Sequence, residues 1–252
     1  MIVQQTLEKL RQLRLFGMVA ALEAQAQQGD VQGLSFEERL GLLVDREWTH
    51  RQDRRLSRYL KEAKLRLPAC VEEVECTATR GLDRGVLRSL ASCDWIRQHQ
   101  NVLIEGATGV GKTFLACALA NAACRQGFRA RYYRVPRLLS ELSLAKADGS
   151  YPQVMTRLAR THLLVLDDWG LAPLAAADGR DLLELIDDRS QTHSTVVASQ
   201  LPTEHWHAAI ADPTVADAIL DRLVHGAHRL VLKGESMRKL AKRKNQIDHP
   251  DA

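Results

Sequence analysis

The residues Gly106-Ala107-Thr108-Gly109-Val110-Gly111-Lys112-Thr113 follow an apolar run and open a helical pattern, in the spacing G-x-x-x-x-G-K-T. That combination of residue types suits one chemistry, the holding of a phosphate chain. Gly106, Gly109 and Gly111 reach backbone angles closed to other residues, so successive amide N–H groups turn inward around a phosphate, at the positive end of the helix beginning near Gly111. Lys112 reaches the β- and γ-phosphates, and the Thr113 hydroxyl is a ligand for Mg2+. Further on, Leu163-Leu164-Val165-Leu166 runs straight into Asp167-Asp168. Such a run is a weak signal by itself. Beside the phosphate loop it reads as a strand delivering Asp167 to the hydration shell of Mg2+ and Asp168 to a water attacking the γ-phosphate in line. ATP and Mg2+ are the ligands this predicts, and the second carboxylate favours hydrolysis over transfer to a small acceptor.

These groups must be carried by rigid elements. The pattern predicts strands at Val102–Glu105, Ala130–Tyr133, Leu163–Leu166, Thr195–Ala198 and Leu230–Leu232. Helices are predicted from Lys112, over Pro136–Ala159, around Gly179–Arg189, from Pro213 capped by Asp212, and a basic one from Glu235. Strands alternating with helices give an α/β fold with a mainly parallel sheet, whose site lies at the carboxyl ends of the strands. Ser199 and Gln200 end one such strand, where a polar side chain can meet the γ-phosphate or the lytic water; an ordinary strand-end turn accounts for them equally well.

The first 67 residues read as a separate helical domain, with a break at Gly29-Asp30 and a helix start at Ser35, paired with Glu38 in a capping box. In the helix that follows, Leu40, Leu43, Val44, Trp48, Leu56, Tyr59, Leu60 and Ala63 trace one stripe. Arg51, Arg54, Arg55, Arg58, Lys61 and Lys64 crowd the other faces. Between Asp45 and Arg66 the basic residues outnumber the acidic by 4, which equals the net charge of +4 of all 252 residues. A solvated face and a surface for duplex DNA phosphates both fit this cluster. Pro68 opens a non-periodic stretch to about Asp83, which joins this domain to a nucleotide domain over residues 68–252.

Composition sets limits. With 45% hydrophobic residues the chain can bury a sizeable core, and no run approaches the 18 apolar residues of a membrane span. The N-terminus lacks the pattern of an export signal, so a soluble cytoplasmic protein is expected. Cys70, Cys76, Cys93, Cys117 and Cys124 form no C-x-x-C pair and read as reduced thiols, with Cys117 and Cys124 on one face of the helix after the phosphate loop. The histidines at 205, 207, 225 and 228 lack partners at a metal-ligand spacing.

The strings GATGVGKT, LLVLDD, VVASQLP, DPTVADAILDRLVH and KGESMRK, in this order and at these separations, resemble the IstB-like transposition helper ATPases, AAA+ proteins near the DnaC helicase loaders. LRLFGMVAALEAQ and SFEERLGLLVDRE are similar to that family too, so the resemblance spans nearly the whole chain. It implies a small helical N-terminal domain, an AAA+ core with a reduced C-terminal lid, ATP-dependent self-assembly on duplex DNA, and recruitment or stimulation of a partner transposase. Residue by residue, it puts a sensor near Ser199, an arginine finger at Arg222 and a second sensor at Arg238. Without it, Arg222 reads as an ordinary ion pair and Arg238 as one of a terminal basic cluster. Asp168 departs from the broad AAA+ pattern, where glutamate is common. A helicase loader, a small-molecule kinase and a nucleotide-gated scaffold without turnover are the competing functions.

Overall fold

The computed structural model describes residues 2–27 and 33–237. The chain divides into two compact units, one up to Arg58 and one from Tyr59 onward. Among the described residues no helix is long and apolar enough to cross a membrane.

The first unit holds α1 (Ile2–Gln12), α2 (Phe16–Gln27) and most of α3 (Phe36–Ala63). The capping box forms: Glu38 N donates to Ser35 Oγ at 3.2 Å, and Ser35 N to the Glu38 carboxylate at 2.8 Å. The apolar stripe expected on α3 is not buried along its first half, where Leu40, Val44 and Trp48 are 41, 51 and 59% exposed. The buried position there is Glu47, which accepts from Gly17 N at 2.7 Å and Met18 N at 3.2 Å. A carboxylate from one helix thus satisfies the first amides of another, at the end where negative charge is favoured. The approach is so close that a Cβ on Gly17 would sit 2.6 Å from Glu47 Cα.

The second unit takes the end of α3, where Tyr59 and Ala63 are buried. Two short helices left unassigned by the sequence pattern follow, α4 (Arg84–Ala91, capped by Asp83) and α5 (Asp94–Arg97). Then come β1 (Val102–Gly106), α6 (Lys112–Arg125), β2 (Ala130–Arg134), α7 (Val135–Asp148), α8 (Tyr151–Ala159), β3 (Leu163–Trp169), α9 (Ala176–Arg189), β4 (Ser194–Ser199), α10 (Pro213–Val224) and β5 (His228–Leu232). The helices predicted over Pro136–Ala159 are α7 and α8, parted where Gly149 turns the chain at a φ of 80°. The five strands pair in parallel in the order β2-β3-β4-β1-β5. The central strands are buried on both faces, which is why they read as unbroken apolar runs. Leu103, Leu164, Leu166 and Val197 face the core formed with α7 to α10. Small residues on α6, among them Ala116, Cys117, Ala120 and Cys124, let that helix lie close against β1 to β4. Burial lifts the Cys93 and Cys124 thiols to about 11, so both stay protonated and inert near neutral pH.

Arg189 is the polar hub of this unit. Its buried guanidinium donates to Leu158 O and Thr161 O, each at 2.7 Å, and to Ser194 O, gathering the end of α8 and the starts of β3 and β4. Arg189→Met should lower the free energy of unfolding by about 3 kcal/mol or more, because several buried carbonyls lose their donor at about 1–3 kcal/mol each. Urea unfolding with an unchanged m-value is the measurement, and an unchanged midpoint would contradict it.

Candidate ATP-binding site

The phosphate loop joins β1 to α6 at the carboxyl edge of the sheet. Its glycines take positive φ, 145° at Gly106, 90° at Gly109 and 101° at Gly111. A side chain at Gly106 would also collide with β5, its Cβ lying 2.3 Å from Leu232 O. The segment after β5 crosses the loop, where Met237 N donates to Gly109 O at 3.0 Å and Ser236 packs on Gly109. Lys112 Nζ donates to Gly106 O at 2.6 Å and Ala107 O at 2.8 Å, which holds the ammonium across the mouth of the loop. Thr108 Oγ1 donates to Gln200 Oε1 at 2.7 Å, and Val110 is buried beneath.

Thr113 Oγ1 donates to Asp167 Oδ2 at 2.7 Å, so the hydroxyl opening α6 and the acid ending β3 converge as the sequence spacing predicts. Two adjacent hard oxygen donors suit Mg2+, which takes few protein ligands and keeps the rest of its shell as water and phosphate oxygens. Asp167 is 1% exposed and also accepts from Tyr132 OH at 2.6 Å and from the Asp168 amide at 2.9 Å. Asp168 sits at a φ of 60°, a left-handed conformation in which β3 is irregular, and this turns its carboxylate toward Arg134 Nε at 2.5 Å. Arg66 NH1 lies 4.0 Å from the same Asp168 oxygen. A cavity of about 700 Å3 runs from these acids past the loop to an apolar wall that includes Val74, Leu82 and Leu232. Polar loop at one end and apolar wall at the other match a nucleotide's phosphates and base.

The sequence did not point to Tyr132, Arg134, Arg66 or Arg80. Arg80 donates to Val110 O under the phosphate loop, and its main chain pairs with Lys233 at the end of β5. Alternation along Arg131–Arg134 is the one signal that bears on β2; it cannot tell which neighbour each residue meets.

Ser199 is fully buried and turned from the cavity: its hydroxyl donates to Trp169 O at 2.8 Å and accepts from Leu201 N at 3.0 Å. Gln200 lines the cavity instead. Arg222 is not near the phosphate loop of its own chain. It lies at the end of α10 beside the amino ends of β1 and β4, where Asn101 Nδ2 donates to its carbonyl at 3.0 Å and its Nε meets Asp187 Oδ1 at 2.5 Å. Arg51, Arg54, Arg55, Arg58, Lys61 and Lys64 are all exposed on α3 or directly after it, Arg51 pairing with Glu47 at 2.7 Å. Arg238 and most of the basic helix predicted from Glu235 lie outside the described residues.

A parallel sheet in this order, a phosphate loop after β1 and paired acids ending β3 define an ATP-binding protein of the AAA+ P-loop class. The chain belongs to the IstB-like ATP-binding protein family, whose model matches residues 8–245. It is 48% identical over 245 residues to an insertion-sequence ATP-binding protein of Sinorhizobium fredii, covering 97% of this chain and all of that one. An ATP-binding protein of insertion sequence IS1162 from Pseudomonas fluorescens is 50% identical over 214 residues, 84% of this chain and 93% of that one. Among solved structures, AMPPCP-bound DnaA from Aquifex aeolicus superposes with a TM-score of 0.58 at 15% identity, over 73% of this chain and 56% of that one. The DnaC helicase loader gives a TM-score of 0.54 at 18% identity, over 68% of this chain and all of that one. At such identities the likeness is one of fold.

Proposed function

We propose that this chain is an ATP-dependent helper of transposition that self-assembles on duplex DNA, hydrolyses ATP to ADP and phosphate, and recruits or stimulates a partner transposase. The observation that carries the hydrolytic part is the meeting of Thr113 and Asp167 at 2.7 Å beneath the phosphate loop, with Asp168 alongside. Lys112 and the loop amides bind the phosphates, Thr113 and Asp167 hold Mg2+, and Asp168 orients the attacking water once it leaves Arg134. Mg2+ there neutralises charge on the phosphate oxygens. Gln200, held to Thr108, takes the first-sensor place that the sequence left between it and Ser199. Relatives named as insertion-sequence ATP-binding proteins, similar over nearly their whole length, support the transposition setting.

The exposed cluster Arg51 to Lys64 supplies the DNA surface. It binds phosphates without reading bases, so affinity should fall with salt. Arg54→Ala with Arg58→Ala should flatten the slope of log K against log salt by up to about 2, each lost phosphate contact being worth about 0.9. An unchanged slope in the folded double variant would return the cluster to a solvated face. Binding of a replicative helicase in place of a transposase would make the protein a helicase loader.

A further inference from the structure

Three residues beyond the last turn of α3, the chain passes directly over the acids of the ATP site. Lys61 is exposed on that turn, and Lys64, exposed at a φ of 49°, bends the chain so that Arg66 reaches the cavity. The Arg66 side chain is 48% exposed, and its NH1 lies 4.0 Å from Asp168. It also lies beside Tyr132, whose hydroxyl donates to Asp167 at 2.6 Å, the same oxygen that Thr113 uses. Tyr132, followed by the charges of Asp167 and Asp168, holds the Arg66 guanidinium more firmly protonated than usual. One guanidinium thus stands within ion-pair reach of Asp168 and beside the tyrosine that holds Asp167. It stands two residues from a lysine that the proposed function gives to DNA.

We propose that Arg66 is the positioning residue through which DNA held at Lys61 and Lys64 is reported to Asp167 and Asp168. The inference rests on the DNA-binding reading of α3. A guanidinium has five donors in a planar fork and can bridge two anions at once, which an ammonium does less well. A backbone phosphate arriving at the end of α3 competes for the half-exposed Arg66. The ion pair of Arg66 with Asp168 and its contact with Tyr132 shift in response, and the two carboxylates change alignment together. ATP turnover then depends on what the basic turn holds, with no rearrangement of the sheet.

The test compares ATP turnover by the full chain with and without saturating duplex DNA, for wild type, Arg66→Ala, Arg66→Lys and Tyr132→Phe, with nucleotide and DNA affinities measured separately. Arg66→Ala should bind both ligands within a few-fold of wild type. Its ratio of DNA-bound to DNA-free kcat should fall by up to about fivefold, the scale of one partly exposed ion pair. Arg66→Lys should recover part of the ratio. Tyr132→Phe keeps the ring and breaks the link to Asp167, so it should lose the ratio as well, and it decides the matter should Arg66→Ala fail to fold. A merely structural role for Arg66 would lower both rates together, leaving the ratio at its wild-type value, and that result overturns the proposal. A wild type that DNA does not stimulate removes the DNA reading and this inference with it; a stimulated wild type with equally stimulated variants removes this inference alone.

Discussion

Arg222→Ala is expected to bind ATP as tightly as wild type and to lose DNA-stimulated hydrolysis by about 10³-fold or more, the scale of a missing arginine finger. Within one chain Arg222 and the phosphate loop lie at opposite ends of the strands, so a finger role for Arg222 would require a γ-phosphate bound by a neighbouring subunit. Its place is well fixed: Asn101 holds the carbonyls of Arg222 and Leu223 at 3.0 and 3.2 Å while accepting from Thr195 N at 2.9 Å. The ion pair with Asp187 is the competing account of Arg222, and it involves partly exposed groups whose pairing contributes little. Mixing Arg222→Ala with Lys112→Ala separates the two accounts. Each variant alone should be inactive, whereas some mixed interfaces join an intact loop from the first to an intact arginine from the second. Recovered turnover on mixing supports the trans role, and silence in co-assembled subunits at all ratios would end it.

Asp168→Asn should slow turnover by about 10² to 10³ while leaving ATP bound, and Lys112→Ala should remove binding itself. Asparagine is the informative replacement because residue 168 sits at a φ of 60°, where asparagine is tolerated and a bulkier or branched side chain adds backbone strain. The variant keeps the amide that Asp168 donates to Asp167 at 2.9 Å, so the metal-binding carboxylate stays in place. Single-turnover ATPase with separate nucleotide titration makes the distinction. Near wild-type rates in both variants would remove the roles given to these residues.

What could be read in the sequence is what depends on neighbours along the chain. The phosphate loop, the acid pair at the end of β3, the Asp212-Pro213 start of α10 and the Ser35 capping box are each set by local spacing, and each is found where that spacing puts it. The unread features are long-range. Glu47 caps α2 from 30 residues away, so a carboxylate that reads as a solvent-facing helix residue is buried and the apolar stripe beside it is exposed. Tyr132, Arg134 and Arg66 reach the acids only because β2 pairs with β3 and the chain after α3 passes over the same edge. Local spacing does not separate Ser199 from Gln200; the packing of β4 against β3 sets the serine hydroxyl on Trp169 O and leaves the glutamine amide lining the cavity. α4 and α5 are too short for periodicity to declare them.

The separation of Arg222 from the phosphate loop also bears on stoichiometry. Should Arg222 act in trans, the contact joins the amino edge of one sheet to the carboxyl edge of the next head-to-tail, and a two-fold dimer cannot satisfy it on both sides. Subunits added this way either close into a ring or continue as a helix. In an open row one terminal loop always lacks its arginine, so a row of n subunits holds n − 1 complete sites. Turnover per subunit would then rise with row length, and the length of DNA covered would be counted in ATP.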